Sequence, residues 1–309
     1  MSTRKSWIRT VALGLGLVAC GELPSIHNPT LPGPSATPGE RPDLLATDTT
    51  GAVTFVGAGD IAGCSTVYRD EVTAKLILQI SGTSGTVFTL GDNAYPNGSG
   101  EDYSNCYDSS WGEFKSRTRP TPGNHEYQTT GAAGYFQYYG SLAGPCCRGF
   151  YTYKLGKWRI YSLNSEARLD KQLSWLSNHL ATYPARCVLA YWHKPLYSAG
   201  PHGPNPEMYG TYKALYDAGA EVVLTGHDHS YQRFAPMDAD GREQDDGIRQ
   251  FVVGTGGSPP TDFPNPAPNL EVRHKVRGVM QLSLADGTYS WKFLSQWGKT
   301  LDSGTETCH

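Results

Sequence analysis

"AVTFVGAGD" (52–60) is a short apolar run that ends in glycine and aspartate. Its β-branched and aromatic residues predict a buried strand, and the next segment, "TVYRDEVTAKLILQI" (66–80), has the apolar spacing of a helix. "GTVFTLGD" (85–92) then repeats the strand pattern with the same Gly-Asp ending. This alternation of strand and helix predicts an α/β fold rather than an all-β or all-helical one.

The later segments continue the alternation and then become mostly strands. "SRTRPTPGNHE" (116–126) shows a weaker form of the strand pattern. "RGFYTYKLGKWRIYSLN" (148–164) predicts a hairpin that turns at Gly156. The remaining predicted elements are helices in 171–180 and 207–219 and strands in 187–195, 221–229, 247–257 and 277–295. Together they predict a two-sheet α/β sandwich flanked by helices.

The N-terminus has the order of segments found in export signals. "MSTRKSWIRT" (1–10) is basic, "VALGLGLVA" (11–19) is apolar, and Cys20 follows. "LVAC" (17–20) resembles the bacterial lipobox, in which the cysteine is lipidated; an ordinary signal cleaved elsewhere and a twin-arginine signal are the alternatives. Residues 1–20 are therefore predicted to be a signal peptide and lipobox, and the Pro-rich segment 21–51 a linker.

Composition limits the remaining classes. The formal net charge of -3 argues against a basic nucleic-acid-binding surface. Since no run approaches the roughly 20 apolar residues of a membrane span, contact with a membrane is expected only through a lipid on Cys20, and the protein is expected to be lipid-anchored or secreted. The other six cysteines predict disulfides whose pairing stays open, at positions 64, 106, 146, 147, 187 and 308.

Polar residues with metal-ligand chemistry stand at the carboxyl ends of four apolar runs, where α/β sheets collect ligand sites. They are Asp60, Asp92, His193 and His227. The full pattern has five blocks, "GD" (59–60), "GDNAY" (91–95), "GNHE" (123–126), "WHKPLY" (192–197) and "GHDH" (226–229). Imidazole and carboxylate together suit Zn, Fe and Mn, and the glycines that precede four of the ligands are expected to permit a sharp bend.

In this order, the five blocks resemble the metallophosphoesterase (calcineurin-like) superfamily, and Tyr95 makes them similar to the purple acid phosphatases. The resemblance covers about residues 52–295 and implies a four-layer α/β/β/α catalytic domain, placed here at 52–309. It implies two metal ions bridged by Asp92. Fe(III) is expected at Asp60, Tyr95 and His229, and a divalent ion (Zn, Fe or Mn) at Asn124, His193 and His227.

The resemblance also implies two histidines that act on the substrate. His125 matches one that contacts the phosphate, and His202 matches one that protonates the leaving group; the further histidine of plant members is Gly203 here. Asp228 is expected to fix the loop between His227 and His229.

The expected activity is metal-dependent hydrolysis of a phosphate-ester substrate, most of all of phosphomonoesters. The alternatives are a phosphodiesterase or nucleotide-processing hydrolase on the same metal core, and a non-catalytic surface binding protein.

Overall fold

The computed structural model describes residues 40–41, 51–145 and 147–309. The predicted signal peptide, its Cys20 and most of the predicted linker lie outside these residues, and the last part of that linker contributes a two-residue strand, Glu40–Arg41. Within the described residues, no helix is both long and apolar enough to cross a membrane.

The chain forms sixteen strands and five α-helices in its described part. The strands are β1 (Glu40–Arg41), β2 (Val53–Ala58), β3 (Ala62–Gly63), β4 (Thr86–Thr89), β5 (Ala94–Tyr95), β6 (Thr118–Arg119), β7 (Tyr151–Leu155), β8 (Trp158–Ser162), β9 (Val188–Tyr191), β10 (Val222–Thr225), β11 (Tyr231–Phe234), β12 (Arg249–Val253), β13 (Leu270–His274), β14 (Gly278–Ala285), β15 (Thr288–Ser295) and β16 (Thr300–Thr307). The α-helices are α1 (Asp70–Ser81), α2 (Gly100–Asp102), α3 (Ala133–Tyr139), α4 (Leu169–Thr182) and α5 (Tyr209–Asp217). Short π and 3₁₀ helices span Tyr103–Tyr107, Trp111–Arg117, Glu126–Gln128, Thr130–Ala132, Gly140–Ala143 and Pro206–Met208.

Two large sheets face each other across the core. One has the strand order β1-β7-β8-β9-β10-β12-β11-β13 and the other β16-β15-β14-β2-β4-β6, and β3 and β5 form a separate small pair. Phe55 of β2 and Tyr191 of β9 meet between the sheets with ring centroids 5.9 Å apart. Both are fully buried, so aromatic packing joins the two layers.

Helices cover the outer faces of the sandwich. Helix α1 packs against β2 and β14 of the six-stranded sheet. A second core brings Leu176 of α4 and Leu215 of α5 together with Val223 of β10. This arrangement confirms the predicted α/β class with two sheets flanked by helices.

Some elements differ from the sequence prediction. Helix α1 begins at Asp70 and not at residue 66, because the N–H groups of Tyr68 and Arg69 donate to Ser65 O (3.1 Å) and Gly257 O (3.0 Å) and hold the preceding segment in a turn. The predicted strands stop at residue 295, whereas the structure adds β16. Strand β16 pairs with β15, and its side chains alternate between exposed and partly exposed positions, so its sequence contains no apolar run.

Two disulfides join distant parts of the chain, as the even number of cysteines predicted. Cys64 is bonded to Cys106, across a sequence separation of 42, and Cys187 to Cys308, across 121. The second bridge ties the end of the chain to the residue before β9. Cys146 lies outside the described residues.

A charged cluster joins the eight-stranded sheet to β16. Arg233 Nε lies 2.8 Å from Asp302 Oδ2, and Arg249 Nε lies 2.9 Å from Glu306 Oε1. Both guanidinium groups stand 5.4 Å from the centre of the Trp291 ring. Burial acts to raise the pKa of Asp302, but its hydrogen bonds, that from Arg233 foremost, lower it below the usual value.

Candidate metal centre

The predicted ligands lie where the parallel strands of the two sheets end. Asp60 follows β2 and Asp92 follows β4 in one sheet, while His193 follows β9 and His227 follows β10 in the other. The two pairs come together at one edge of the sandwich. His227 N donates to Asp60 Oδ2 over 2.8 Å, which links the two sheets directly.

The backbone bends sharply at these positions, and the bend falls mostly on the ligands themselves. Asp60, Asp92 and His227 have φ values of 59°, 47° and 71°. This left-handed conformation costs a non-glycine residue about 1–2 kcal/mol and is typical of functional sites. Among the glycines that were predicted to permit a sharp bend, Gly91 has a positive φ (84°). Gly226 is needed for close approach, because a Cβ there would lie 2.7 Å from Asp60 Oδ2.

One group of ligand atoms is centred on Tyr95. Its hydroxyl oxygen lies 3.1 Å from Asp60 Oδ1, 3.2 Å from Asp92 Oδ2 and 3.2 Å from His229 Nε2. A hydroxyl carries one proton and can donate to only one of these three atoms. The other two therefore lack a donor within this group.

A second group is centred on His193. Its Nε2 lies 3.0 Å from Asn124 Oδ1, 3.2 Å from His227 Nδ1 and 3.3 Å from Asp92 Oδ2. Ligand atoms of Asp92, His193 and His227 all fall within 4.8 Å of one another. The structure thus brings all seven predicted ligand residues into two adjacent groups.

Asp92 Oδ2 belongs to both groups. It is 3.2 Å from Tyr95 Oη on one side and 3.3 Å from His193 Nε2 on the other. A carboxylate in this position can bridge two cations and offset their mutual repulsion. Asp92 is 2% exposed, so water does not compensate its charge.

The two imidazoles nearest the carboxylates are oriented as metal ligands. His193 Nδ1 donates to Leu90 O over 2.7 Å, and His229 Nδ1 donates to Pro259 O over 3.2 Å. Because a carbonyl oxygen can only accept, the proton of each neutral ring is held on Nδ1 and Nε2 keeps its lone pair. Hydrogen bonds of this kind fix the tautomer of metal-binding histidines, so the residues present fit a pair of cations.

The electrostatics of the ligand side chains are consistent with a site for cations. Burial acts to lower the pKa of His193, but the charge of Asp92 raises it to about 10. Burial and the charge of His193 lower the pKa of His227 to about 2. Burial together with the two carboxylates raises the pKa of Tyr95 well above its usual value. A proton on His193 thus supplies a positive charge next to the carboxylate of Asp92, at a place where a cation would do the same. Tyr95 would need a bound cation to lose its proton and become a phenolate.

A protein-family model described as calcineurin-like phosphoesterase matches residues 53–231, more than half of the chain. The chain belongs to the calcineurin-like phosphoesterase family. This confirms the superfamily that the five sequence blocks predicted.

The individual proteins that this chain is similar to share a low sequence identity with it. Tartrate-resistant acid phosphatase type 5 of Oryctolagus cuniculus is 26% identical over 139 residues, which are 42% of this chain and 40% of the relative. Purple acid phosphatase PPD1 from yellow lupin (Lupinus luteus) seeds matches 85% of this chain and 55% of its own, at 19% identity and a TM-score of 0.65. GAP50, the anchor in the inner membrane complex of Plasmodium, matches 84% of this chain and 89% of its own, at 14% identity and a TM-score of 0.67. These two structures show the shared fold, and the chain spans about half the length of the first two relatives.

The two histidines predicted to act on a substrate lie beside the ligands of this phosphoesterase fold. His125 N donates to Asp92 Oδ1 over 2.9 Å, and its ring packs 4.4 Å from that of Tyr95. The ring of His202 is 4.5 Å from that of His227 and is exposed. The two rings therefore border the metal centre next to different ligand groups.

Asp228 holds the loop that carries His202. Its buried carboxylate accepts a hydrogen bond from Ser198 Oγ and one from His202 N over 2.9 Å. The sequence predicts that Asp228 fixes the loop between His227 and His229, whereas its side-chain hydrogen bonds in the structure go to the loop of Ser198 and His202.

Glu126 is a positioning residue that the sequence reasoning missed. Its buried Oε2 accepts from Gly123 N (2.7 Å) and Asp92 N (3.0 Å). Its Oε1 accepts from Asn93 N (2.8 Å), Ala94 N (3.3 Å) and Tyr103 Oη (3.2 Å). One carboxylate thus ties the "GDNAY" loop to the "GNHE" loop. Glu126 ends the quoted "GNHE" block, which was the available signal.

Proposed function

We propose that this chain hydrolyses phosphomonoesters with the help of two metal ions. The proposed ligands are Asp60, Tyr95 and His229 for Fe(III), Asn124, His193 and His227 for a divalent ion (Zn, Fe or Mn), and Asp92 for both. The shared position of Asp92 Oδ2, 3.2 Å from Tyr95 Oη and 3.3 Å from His193 Nε2, is the main support. Family membership and the retention of every expected ligand support it further.

The two ligand groups differ in chemistry, and this supports two different ions. The Tyr95 group offers carboxylate and phenol oxygens with one imidazole, a hard set that suits Fe(III). The His193 group offers two imidazoles and an amide oxygen, which suit Zn, Fe or Mn. When bound, the ions supply Lewis acidity to the phosphoryl oxygens and to the attacking water.

The side chains around the centre account for the other needs of the reaction. His125 Nε2, 3.8 Å from Asp92 Oδ2, can donate to a phosphoryl oxygen. His202 is exposed beside His227 and can deliver a proton to the leaving oxygen. Asp228 limits where His202 can move by holding its backbone N–H. Two imidazoles in addition to the ions suit the dianion of a monoester better than the single charge of a diester.

A matched pair of substrates tests the proposal. The metal-loaded protein is assayed with p-nitrophenyl phosphate and with bis(p-nitrophenyl) phosphate, which share a leaving group. We expect kcat/KM for the monoester to be larger by at least about 10-fold, and Asp92→Ala to reduce it by about 1,000-fold or more. Asp286→Ala, at a side chain 69% exposed, serves as the control.

Three outcomes would contradict the proposal. A larger kcat/KM for the diester would favour the phosphodiesterase. Hydrolysis that persists unchanged in Asp92→Ala would remove the metal centre from the reaction, and a metal-loaded protein that hydrolyses neither ester would favour a non-catalytic surface binding protein.

We also propose that the protein is exported and carries a lipid on Cys20. The basic, apolar and cysteine-terminated order of residues 1–20 supports this, as do the disulfides Cys64–Cys106 and Cys187–Cys308, which are typical of oxidising compartments. We expect the full chain in the membrane fraction of a bacterial host and the Cys20→Ser variant outside it. Identical fractionation of both would contradict the anchor.

A further inference from the structure

Tyr68 lies beside the metal centre although no sequence motif includes it. Its ring sits on Gly63, where an added Cβ would lie 2.5 Å from Cε2. Gly63 pairs with Tyr95 across β3 and β5, and the Tyr68 and Tyr95 rings are 5.2 Å apart. The absence of a side chain at position 63 therefore lets a second tyrosine lie over the strand pair that carries a predicted ligand.

The segment that carries Tyr68 is held on both sides. The Cys64–Cys106 disulfide fixes the chain before it. Arg277 Nη2 donates to Val67 O over 2.6 Å, and Arg69 N donates to Gly257 O over 3.0 Å. A side chain on a segment fixed in this way loses little conformational entropy when it binds a ligand.

The hydroxyl of Tyr68 has no hydrogen-bond partner among residues 40–41, 51–145 and 147–309, and the side chain is partly exposed. A tyrosine hydroxyl carries one proton, so Tyr68 can donate its O–H to a bound anion. A phosphate bound beside Tyr95 could therefore accept a hydrogen bond from this hydroxyl.

We propose that Tyr68 is a substrate-contacting residue whose hydroxyl donates a hydrogen bond to a phosphoryl oxygen of the bound ester. It acts next to the Asp60, Tyr95 and His229 group, whereas His202 packs against His227 of the other group. The inference rests on the proposed phosphoesterase function, because it needs a phosphate at the metal centre. It adds a donor that none of the five sequence blocks contains.

The test compares Tyr68→Phe with the parent protein. The substitution keeps the ring on Gly63 and removes only the hydroxyl, so folding and metal content should not change. We expect the affinity of the metal-loaded protein for inorganic phosphate, measured by titration calorimetry, to fall about 10-fold, the size expected for a hydrogen bond to a charged group. KM for p-nitrophenyl phosphate should rise by a similar factor.

Tyr183→Phe is the matched control, since Tyr183 is 41% exposed at the end of α4. Equal phosphate affinity in Tyr68→Phe and Tyr183→Phe would overturn the inference and leave Tyr68 with a packing role. Loss of bound metal in Tyr68→Phe would also overturn it, since the residue would then position ligands. If the parent protein hydrolyses no ester, the proposed function fails, and the difference in phosphate affinity still decides the role of Tyr68.

Discussion

Replacing Glu126 with Gln should weaken both the fold and the metal centre, although Glu126 is expected to bind no metal. All five partners of its carboxylate are donors. An amide in its place keeps one accepting oxygen and turns the other position into an NH₂ group. With that group at the Oε2 position, the N–H groups of Gly123 and Asp92 lose an acceptor at 2.7 and 3.0 Å and face a donor instead.

The size of the effect follows from these two bonds. Each buried donor left unsatisfied costs about 1–3 kcal/mol, so the free energy of unfolding should fall by about 2–6 kcal/mol. With a guanidinium m-value of about 4 kcal/mol/M, the midpoint of unfolding should move down by about 0.5–1.5 M. Metal affinity should fall as well, because Asp92 and the residue before Asn124 lose their common anchor.

Guanidinium unfolding followed by circular dichroism, with metal content measured on the same samples, checks this. Glu113→Gln is the control, since Glu113 is exposed on a short helix. If Glu126→Gln unfolds at the same midpoint as Glu113→Gln and binds metal equally well, the reasoning about backbone anchoring is refuted.

Three further predictions concern other parts of the molecule. Tyr95→Phe should abolish the visible absorption of the iron-loaded protein in a simple spectrum, because a phenolate bound to Fe(III) absorbs in that range; a colourless, iron-free and fully active parent would contradict this. Asp302→Asn should lower the free energy of unfolding by about 2–4 kcal/mol near neutral pH, with the exposed Asp262→Asn as control. The pKa of Asp302 is lower in the folded state, so its contribution to stability is full above the unfolded pKa of about 3.9 and is lost as pH falls through the folded pKa. The free energies of unfolding of the parent and the variant, measured in urea, should therefore converge at low pH. A difference that stays the same at all pH values would be inconsistent with this prediction. Replacing Cys187 and Cys308 together with Ser should remove about 4–5 kcal/mol of stability, since the bridge closes a loop of 121 residues; an unchanged melting temperature would disprove it.

The candidate ligands can be predicted from the sequence because each stands in a local pattern. An apolar run that ends in a polar residue is visible without any structure, as at Asp60 and His193. The meeting of the two sheets at one edge then follows from the common direction of the parallel strands. The positive φ of Asp60 and His227 could not be read from the letters, because it results from the close approach of the two loops.

Other features depend on contacts that no local pattern encodes. Glu126 accepts hydrogen bonds from backbone N–H groups about 30 residues away. The residues next to it in the sequence do not indicate this role. Strand β16 carries charged residues that pair with Arg233 and Arg249. Because it has no periodic pattern of apolar residues, the sequence does not predict it. The burial of His179 on α4 is also visible only in the structure, where this residue is 5% exposed and hydrogen-bonded to Tyr161 over 2.8 Å.

Metal analysis of the purified protein, paired with the Asp92→Ala variant, tests the central claim most directly. If Asp92 joins two ligand groups, the parent protein should bind two metal ions per chain, and the variant should lose the pair together with the hydrolysis of phosphomonoesters. Full hydrolysis by a parent protein that contains no metal, or by an Asp92→Ala variant, would contradict the account.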